Sequence, residues 1–359
     1  MKIALGLSGG VDSTICAMLL KEAGHEVIGL TMRKWSAASG ILSADKRGCF
    51  GPSEPQALQA AKETAARLGI AHYEIDLEKE FKAEILSYYR QSYAAGLTPN
   101  PCVFCNQKIK FGALLQSALN SGISFDRFAT GHYARSVYNE ELKRWQLFKA
   151  KDANKDQSYF LSGLKQEQLA LSLFPLGSLL KSEIKAYAEA QGFAYLIKKK
   201  ESQDFLESYD NSPLFEANDA HPGYFIDKYG KILGEHKGLI HYTVGQRKGL
   251  GLKGFPEAQY VIHLDNDTNN ILVGNESELY SDKLRAININ WLSIPAPLDT
   301  LACSAKIRLA QEPETCTISP HADGSAWVRF DKPISAITQG QIVAFYLQDL
   351  VLGMGEISR

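Results

Sequence analysis

The chain has 359 residues, 45% of them apolar, with 39 lysines and arginines against 40 aspartates and glutamates. That length is enough for two or three domains and the apolar fraction for a sizeable core. The near-zero net charge excludes a chain whose overall charge announces nucleic-acid binding, so an RNA site has to come from local patches such as Lys198-Lys199-Lys200. No apolar run approaches membrane-spanning length, and Ser8 and Asp12 interrupt the N-terminal apolar stretch, so neither a span nor a signal peptide is expected. The expected protein is soluble and cytoplasmic, without a membrane partner. Its six cysteines then read as thiols, metal ligands or catalysts rather than disulfides.

The first strand is expected over residues 2–7, a short apolar run. The turn Ser8-Gly9-Gly10-Val11-Asp12-Ser13 follows, then an amphipathic helix over 13–23 with Ile15, Met18, Leu19 and Leu20 on one face. Strand, glycine turn and helix together form a phosphate-binding arrangement. Gly9 and Gly10 let the backbone approach an anion, and the turn amides and helix N-terminus direct positive charge at it. Asp12 could hold magnesium, and Ser8 and Ser13 could donate hydroxyls to phosphate. The plainer alternative is a glycine turn with Asp12 or Ser13 as helix cap. There is no Walker lysine.

A second strand, 26–32, ends at Met32. The loop after it carries Arg47-Gly48-Cys49. An alanine-rich helix, 54–68, leads to a strand at 71–75 and a helix at 81–93. Thr98-Pro99-Asn100-Pro101-Cys102-Val103-Phe104-Cys105-Asn106 then places a CxxC, stiffened by two prolines, at the mouth of a helix that covers 108–117. A helix N-terminus lowers a thiol pKa, and thiolate is the form that attacks, carries sulfur or binds metal. The alternative is a zinc half-site or two packed cysteines, although a second CxxC is absent. A strand at 127–130 ends in Gly131-His132. Alternation of this kind gives a doubly wound parallel α/β sheet with ligands beyond the strand C-termini. The glycine turn, Met32 and Gly131-His132 can therefore share one site.

Lys155-Asp156-Gln157-Ser158 reads either as a contact segment or as a cap for the helix that follows. After about residue 200 short segments at 223–227 and 238–241 lie between glycine turns. From about 280 the pattern is β only, at 287–291, 302–308, 316–318, 326–330 and 342–346, which suggests a small barrel. Expected domains are 1–203, a central 204–280 and a C-terminal barrel 281–359. Cys16, Cys303 and Cys316 read as packed residues. Gln246-Arg247 and Lys306 with Arg308 offer either phosphate contacts or solvated charge. There is no internal repeat or low-complexity tract.

The glycine turn resembles the PP-loop of the ATP pyrophosphatase superfamily, whose members split ATP between the α- and β-phosphates. SGGVDS, TPNPCVFCN with KIKF, ATGHYAR, KDQSYFL, FPLG, KKKESQDF, HYTVGQRKGLG and KIRLAQ occur in order over nearly the whole chain. This set resembles the bacterial tRNA-specific 2-thiouridylases, which place sulfur at C2 of the wobble uridine, position 34. The resemblance implies ATP and Mg2+, tRNA as substrate, a sulfur donor as partner, and a uridine flipped out of its stack. It implies nucleotide contacts from Gly6, Leu7, Ser8, Gly9, Gly10, Val11, Asp12, Ser13, Met32 and Gly131. It implies tRNA contacts from Asn100, Lys155, Asp156, Gln157, Arg247 and Arg308.

Two departures bear on the sulfur chemistry. Cys102 stands where the family has aspartate, beside Cys105, which matches the family's nucleophile. Leu206 stands where its second catalytic cysteine is expected. Two routes follow. Cys49, Cys102 and Cys105 could hold three irons of a [4Fe-4S] cluster whose open iron carries the sulfur, or Cys105 could carry it as a persulfide. A PP-loop synthetase that transfers nitrogen, and a tRNA-binding module that has lost catalysis, are the other functions compatible with the motifs.

Overall fold

A computed structural model describes residues 1–198, 204–216 and 219–358. Lys199 and Lys200 of the lysine patch, and Glu201, Ser202 and Gln203 of the segment after it, lie outside these.

Strands β1 (Lys2–Gly6) and β2 (Glu26–Arg33) flank helix α1 (Val11–Glu22). A short strand β3 (Gly48–Phe50), helix α2 (Glu54–Leu68) and β4 (Ala71–Asp76) follow, then β5 (Arg127–Thr130). A hairpin of β6 (Arg135–Asn139) and β7 (Arg144–Phe148) comes next, and β8 (Ser172–Leu173) adds the last strand of the main sheet. That sheet is parallel in the order β4-β2-β1-β5-β8.

Side chains alternate across a strand, and the two faces feed two cores. Ile3, Leu5 and Ala129 pack with Ile15, Cys16, Ala61, Ala65 and Ile184 on one face. Ala4, Ile28, Leu30 and Phe128 pack with Phe81, Ile85, Ile109 and Leu114 on the other. Helices on both faces make the sheet doubly wound, as its alternating sequence pattern predicts.

Two helical stretches depart from regular winding. Glu78–Phe81 continues through a π segment, Lys82–Leu86, into Ser87–Ala94. Pro101–Phe104 continues through a longer π segment, Cys105–Ala113, into Leu114–Asn120. The sequence pattern places this second helix at 108–117. It begins seven residues earlier because Asn100 caps it and Pro101 occupies its first position.

Strand β9 (Asp204–Leu206) returns to pair with β3 in parallel, Gly48 opposite Asp204 and Phe50 opposite Leu206. The central unit is a four-stranded sheet, β11-β10-β13-β12, made of β10 (Gly223–Ile226), β11 (Ile232–His236), β12 (Tyr260–Asp265) and β13 (Asn270–Gly274). Phe225, Val261, Ile271 and Val273 form its core.

The C-terminal unit runs through β14 (Tyr280–Trp291), β15 (Leu301–Lys306), β16 (Glu314–Pro320), β17 (Ala326–Ser335), β18 (Ile342–Leu347) and β19 (Leu350–Ser358). Pairing of β14 with β19 closes it into a barrel of six strands. On its other edge β19 pairs with β7, Val351 opposite Leu147. The hairpin of the first unit therefore extends the barrel sheet, and Tyr346, Val351 and Met354 share a core with Ala4 and Phe128. Among the described residues no helix is long and apolar enough to cross a membrane.

Candidate active site

The glycine turn sits at the C-terminal end of β1 and is shaped by what lies behind it. Gly9 has φ +67°, and a Cβ there would lie 2.7 Å from Ala61 N and 2.8 Å from the carbonyl carbon of Ala60. Helix α2 thus rests directly on the turn, and only glycine fits. Gly10 is the N-cap of α1, and no side chain caps it. Neither Asp12 nor Ser13 takes that role. Ser13 Oγ instead accepts from the Ser8 amide at 3.2 Å and donates to Gly10 O at 3.2 Å, and the two serine hydroxyls are 3.1 Å apart. An uncapped N-terminus with two hydroxyls beside it suits an anion.

Asp12 is engaged by protein groups. Lys181 Nζ lies 2.7 Å from its Oδ1 and 2.8 Å from its Oδ2, and the Tyr133 hydroxyl donates to Oδ1 at 2.7 Å. Lys181 is buried, at the start of the helix Lys181–Ala190. Gly131, just past β5, approaches so closely that a Cβ would lie 3.1 Å from Asp12 C and Ser13 N. Met32, half-buried near the end of β2, completes the same edge.

His132 lies beside them. Burial, reinforced by Lys110, holds its imidazole well below the usual histidine range. Lys110 Nζ stands 3.3 Å from Nε2 and Thr130 Oγ1 2.7 Å from Nδ1. An ammonium only donates, so Nε2 accepts and Nδ1–H donates to Thr130.

The thiols occupy the neighbouring part of this edge. Cys102 and Cys105 are half-buried and Cys49 is exposed. Burial pushes the Cys105 thiol up to about 11; the charge of Cys49 adds to this, while Lys110 and Lys34 pull the other way. Burial pushes Cys102 up further, again with Cys49 and Cys105 adding. Burial thus raises both thiols, opposite to the lowering expected from the helix N-terminus. Lys34 pairs with the buried Glu54 at 2.6 Å. Burial alone would lower Lys34, but Glu54, Cys49 and Cys105 together leave it raised.

The three cysteines influence one another, yet they do not assemble a metal site. Among the described residues no group of three or more His, Cys, Asp or Glu side chains is placed to hold a metal ion. The expected three-cysteine [4Fe-4S] site is therefore not supported. Cys49 Sγ instead donates to Phe205 O at 3.5 Å across the β3–β9 pair. Leu206 is buried in the core on that pair. The loop of Cys49 is anchored by Glu207, which accepts from Ser53 N at 2.9 Å and from the Ser53 hydroxyl.

The residues expected at tRNA divide into two sets. Asn100 is buried. Its Oδ1 accepts from Val103 N at 3.3 Å, and its Nδ2 donates to Gln341 Oε1 at 3.2 Å and to the Tyr159 hydroxyl at 3.4 Å. It caps the cysteine helix and ties it to the barrel. Asp156 accepts from Ala150 N at 2.9 Å and from the Ser158 hydroxyl at 2.7 Å, while the N-cap of the helix that follows is Gln157, without a side-chain cap. Gln157 Oε1 accepts from Tyr133 N at 3.0 Å, bracing the residue that touches Asp12. Lys155 is half-buried on the turn before them, and Arg247 is exposed on the central unit. Arg308 is exposed on the barrel side and donates to the carbonyls of Ser335 and Ala336.

Motif reading singles out none of Lys181, Glu207 and Gln341, and it includes Tyr133 in ATGHYAR without giving it a role. Each acts through a partner more than a hundred residues away, and no local spacing announces such a pair.

An α/β nucleotide domain with an uncapped glycine turn, thiols on the same sheet edge and two appended β units define an ATP-using enzyme of the PP-loop class. Family models agree in order along the chain: a tRNA methyl transferase HUP domain over residues 1–206, a tRNA methyl transferase PRC-barrel domain over 213–275 and an aminomethyltransferase beta-barrel domain over 281–357. The tRNA-specific 2-thiouridylase MnmA 2 of a Thermoanaerobacter species is 44% identical over 364 residues, covering 100% of this chain and 98% of the relative. The tRNA-specific 2-thiouridylase MnmA 1 of Caldanaerobacter subterraneus subsp. tengcongensis is 42% identical, with 100% and 98% covered. That of Acetivibrio thermocellus is 40% identical, with 99% of both covered. The chain belongs to the tRNA-specific 2-thiouridylase family.

Proposed function

We infer that this chain is the ATP-dependent enzyme that replaces O2 of the wobble uridine of tRNA, position 34, with sulfur. The carrying observation is one sheet edge that holds both the uncapped glycine turn and the thiols of Cys49, Cys102 and Cys105. A nitrogen-transferring synthetase would leave those thiols without a task. A module without catalysis would have no use for a glycine turn shaped by α2.

The α-phosphate of ATP lies against the amides after Gly10, with the Ser8 and Ser13 hydroxyls beside them. Asp12 is a hard oxygen donor and fits magnesium, which would neutralise charge on the departing phosphates. Uridine O2 attacks the α-phosphorus, and pyrophosphate leaves with the electrons of the broken P–O bond. Fixed amides stabilise the charge that develops. The base is now joined to AMP through its former O2. Sulfur held on Cys105 as a persulfide attacks C2, and AMP leaves with that oxygen. The outer sulfur is then joined to both C2 and Cys105; the thiol of Cys49 or Cys102 attacks Cys105 Sγ, the S–S bond to the transferred sulfur breaks and leaves that sulfur on C2, and the two cysteines become a disulfide. A thiol reductant reopens that disulfide before a sulfur donor reloads Cys105 as a persulfide.

Lys155, Arg247 and Arg308 offer cationic contacts to tRNA phosphates from the three units, which we place at 1–203, 204–280 and 281–359. The enzyme acts in the cytoplasm, with its substrate. Nucleoside analysis of tRNA from cells lacking the gene tests the reading: 2-thiouridine is expected to disappear and to return with the wild-type gene. Undiminished 2-thiouridine overturns it. Nucleotide products of the purified enzyme are expected to be AMP and pyrophosphate, and ADP as the main product would exclude the phosphate chemistry.

A further inference from the structure

We propose that Cys303 and Cys316 form a reversible oxidation site, a disulfide staple across the β15–β16 hairpin that closes when hydrogen peroxide reaches the barrel. The site is separate from the thiols of the sheet edge, and it does not depend on the sulfur-transfer reading.

Cys303 and Cys316 stand directly opposite each other in the antiparallel register of β15 and β16. Opposed residues share a face of the sheet. Here it is the inner face: Cys316 belongs to the barrel core, and Cys303 packs against that core with Leu301. The Cα atoms of opposed residues lie about 4.5–5.5 Å apart, inside the roughly 4.4–6.8 Å that a disulfide spans. The two Sγ atoms are 3.6 Å apart. Closing the bond therefore takes side-chain rotation and no sliding of the strands.

The two thiols are unequal. Cys303 is half-buried and Cys316 is buried. The hydrogen bond with Cys303, and then burial, hold the Cys316 thiol well above the usual range. Cys303 is thus the thiol that meets the oxidant. Its sulfur attacks one peroxide oxygen, the O–O bond breaks, and the departing hydroxide takes the thiol proton and leaves as water. Cys303 is then a sulfenic acid. Cys316 Sγ attacks Cys303 Sγ, the S–O bond breaks, and the hydroxyl leaves with the Cys316 proton as a second water. Two thiols are oxidised and one peroxide is reduced. The ring so closed contains the connection 307–313 between the strands, from which Arg308 reaches the carbonyls of Ser335 and Ala336. The staple restrains that connection. A thiol reductant reopens it, so in a reducing compartment the pair rests as a dithiol.

The test treats the reduced full chain with hydrogen peroxide, blocks the remaining thiols with iodoacetamide and digests with trypsin, which cuts after Lys306 and Arg308, between the two cysteines. The two cysteine peptides are expected as one linked species, two hydrogens lighter than their sum, that separates with dithiothreitol. Amide hydrogen exchange over 304–315 is expected to slow severalfold in the oxidised wild type, because the hairpin can no longer open. In Cys303→Ser, which keeps the thiols of the sheet edge, oxidation leaves that exchange unchanged. Cys316→Ala is the second variant, since either substitution opens the pair. Cys303 and Cys316 recovered on separate peptides, alkylated or over-oxidised, would overturn the site. Exchange that does not slow in the oxidised wild type, or that slows equally in the variants, would overturn the staple.

Discussion

Cys105 is a thiol whose burial opposes ionisation. With its pKa near 11, the thiolate fraction at neutral pH is small and rises about tenfold per pH unit up to that value. Iodoacetamide labelling of Cys105, followed by peptide mass spectrometry, is expected to accelerate steadily from pH 7 to 10. Lys110→Met removes an ammonium that pulls the thiol down, so labelling at any pH in that range slows. Faster labelling in the variant would contradict the assigned field. The raised value also has a consequence for stability. A thiol that ionises at a higher pH folded than unfolded contributes fully below about 9, and the contribution is lost as pH rises from there toward 11. Gly9 is the other decisive residue. Gly9→Ala places a Cβ 2.7 Å from the α2 backbone at positive φ, costing about 1–2 kcal/mol from backbone conformation alone, with the clash adding to it. Loss of AMP formation with a lowered melting temperature is the expected outcome, and normal turnover would mean the turn is not the phosphate cradle.

Among the elements, the parallel strands and α2 were legible because apolar runs and alanine-rich periodicity are local signals. Helix α2 spans Glu54–Leu68 and β5 spans Arg127–Thr130, as read from the sequence. The hairpin β6–β7 was not legible, since its mixed polar pattern makes sense only against β19. The π winding that begins at Cys105 was not legible either, because no residue spacing announces it. The motifs located the glycine turn and the CxxC, while their buried partners came from distant elements. The β3–β9 pair has a prediction of its own. A Cβ at residue 48 would lie 2.3 Å from the carbonyl carbon of Leu206, so Gly48→Val should unhook the loop of Cys49. Hydrogen exchange is expected to rise in 45–53 and 204–208 while β1 and β2 remain protected. Protection unchanged in both segments would show that the pair does not hold the loop.

At the scale of the molecule, matches to three family models suggest three separable pieces, yet the core does not respect them. Leu147 and Phe128 share one cluster with Tyr346, Val351 and Met354. A chain ended at residue 280 leaves β7 with an open edge and that cluster uncovered, so it should aggregate, as measured by light scattering beside the full chain. A monomeric, cooperatively melting fragment would contradict this. Binding of tRNA across the three units should weaken steeply between about 50 and 200 mM salt through counterion release, and a flat salt response would remove the phosphate contacts from the account.

The residue that caps the cysteine helix is itself held by the far end of the chain. Asn100 bonds to Gln341, Gln341 Nε2 donates to Pro99 O at 3.2 Å, Thr98 N donates to Gln339 O at 2.9 Å, and the Tyr159 hydroxyl donates to Ile342 O at 2.9 Å. During synthesis the ribosome makes the glycine turn first and these partners almost last. The cysteine helix therefore gains the partners that hold its cap only when the C-terminal strands have been made. The thiols of that helix thus become organised only once the barrel strands are in place.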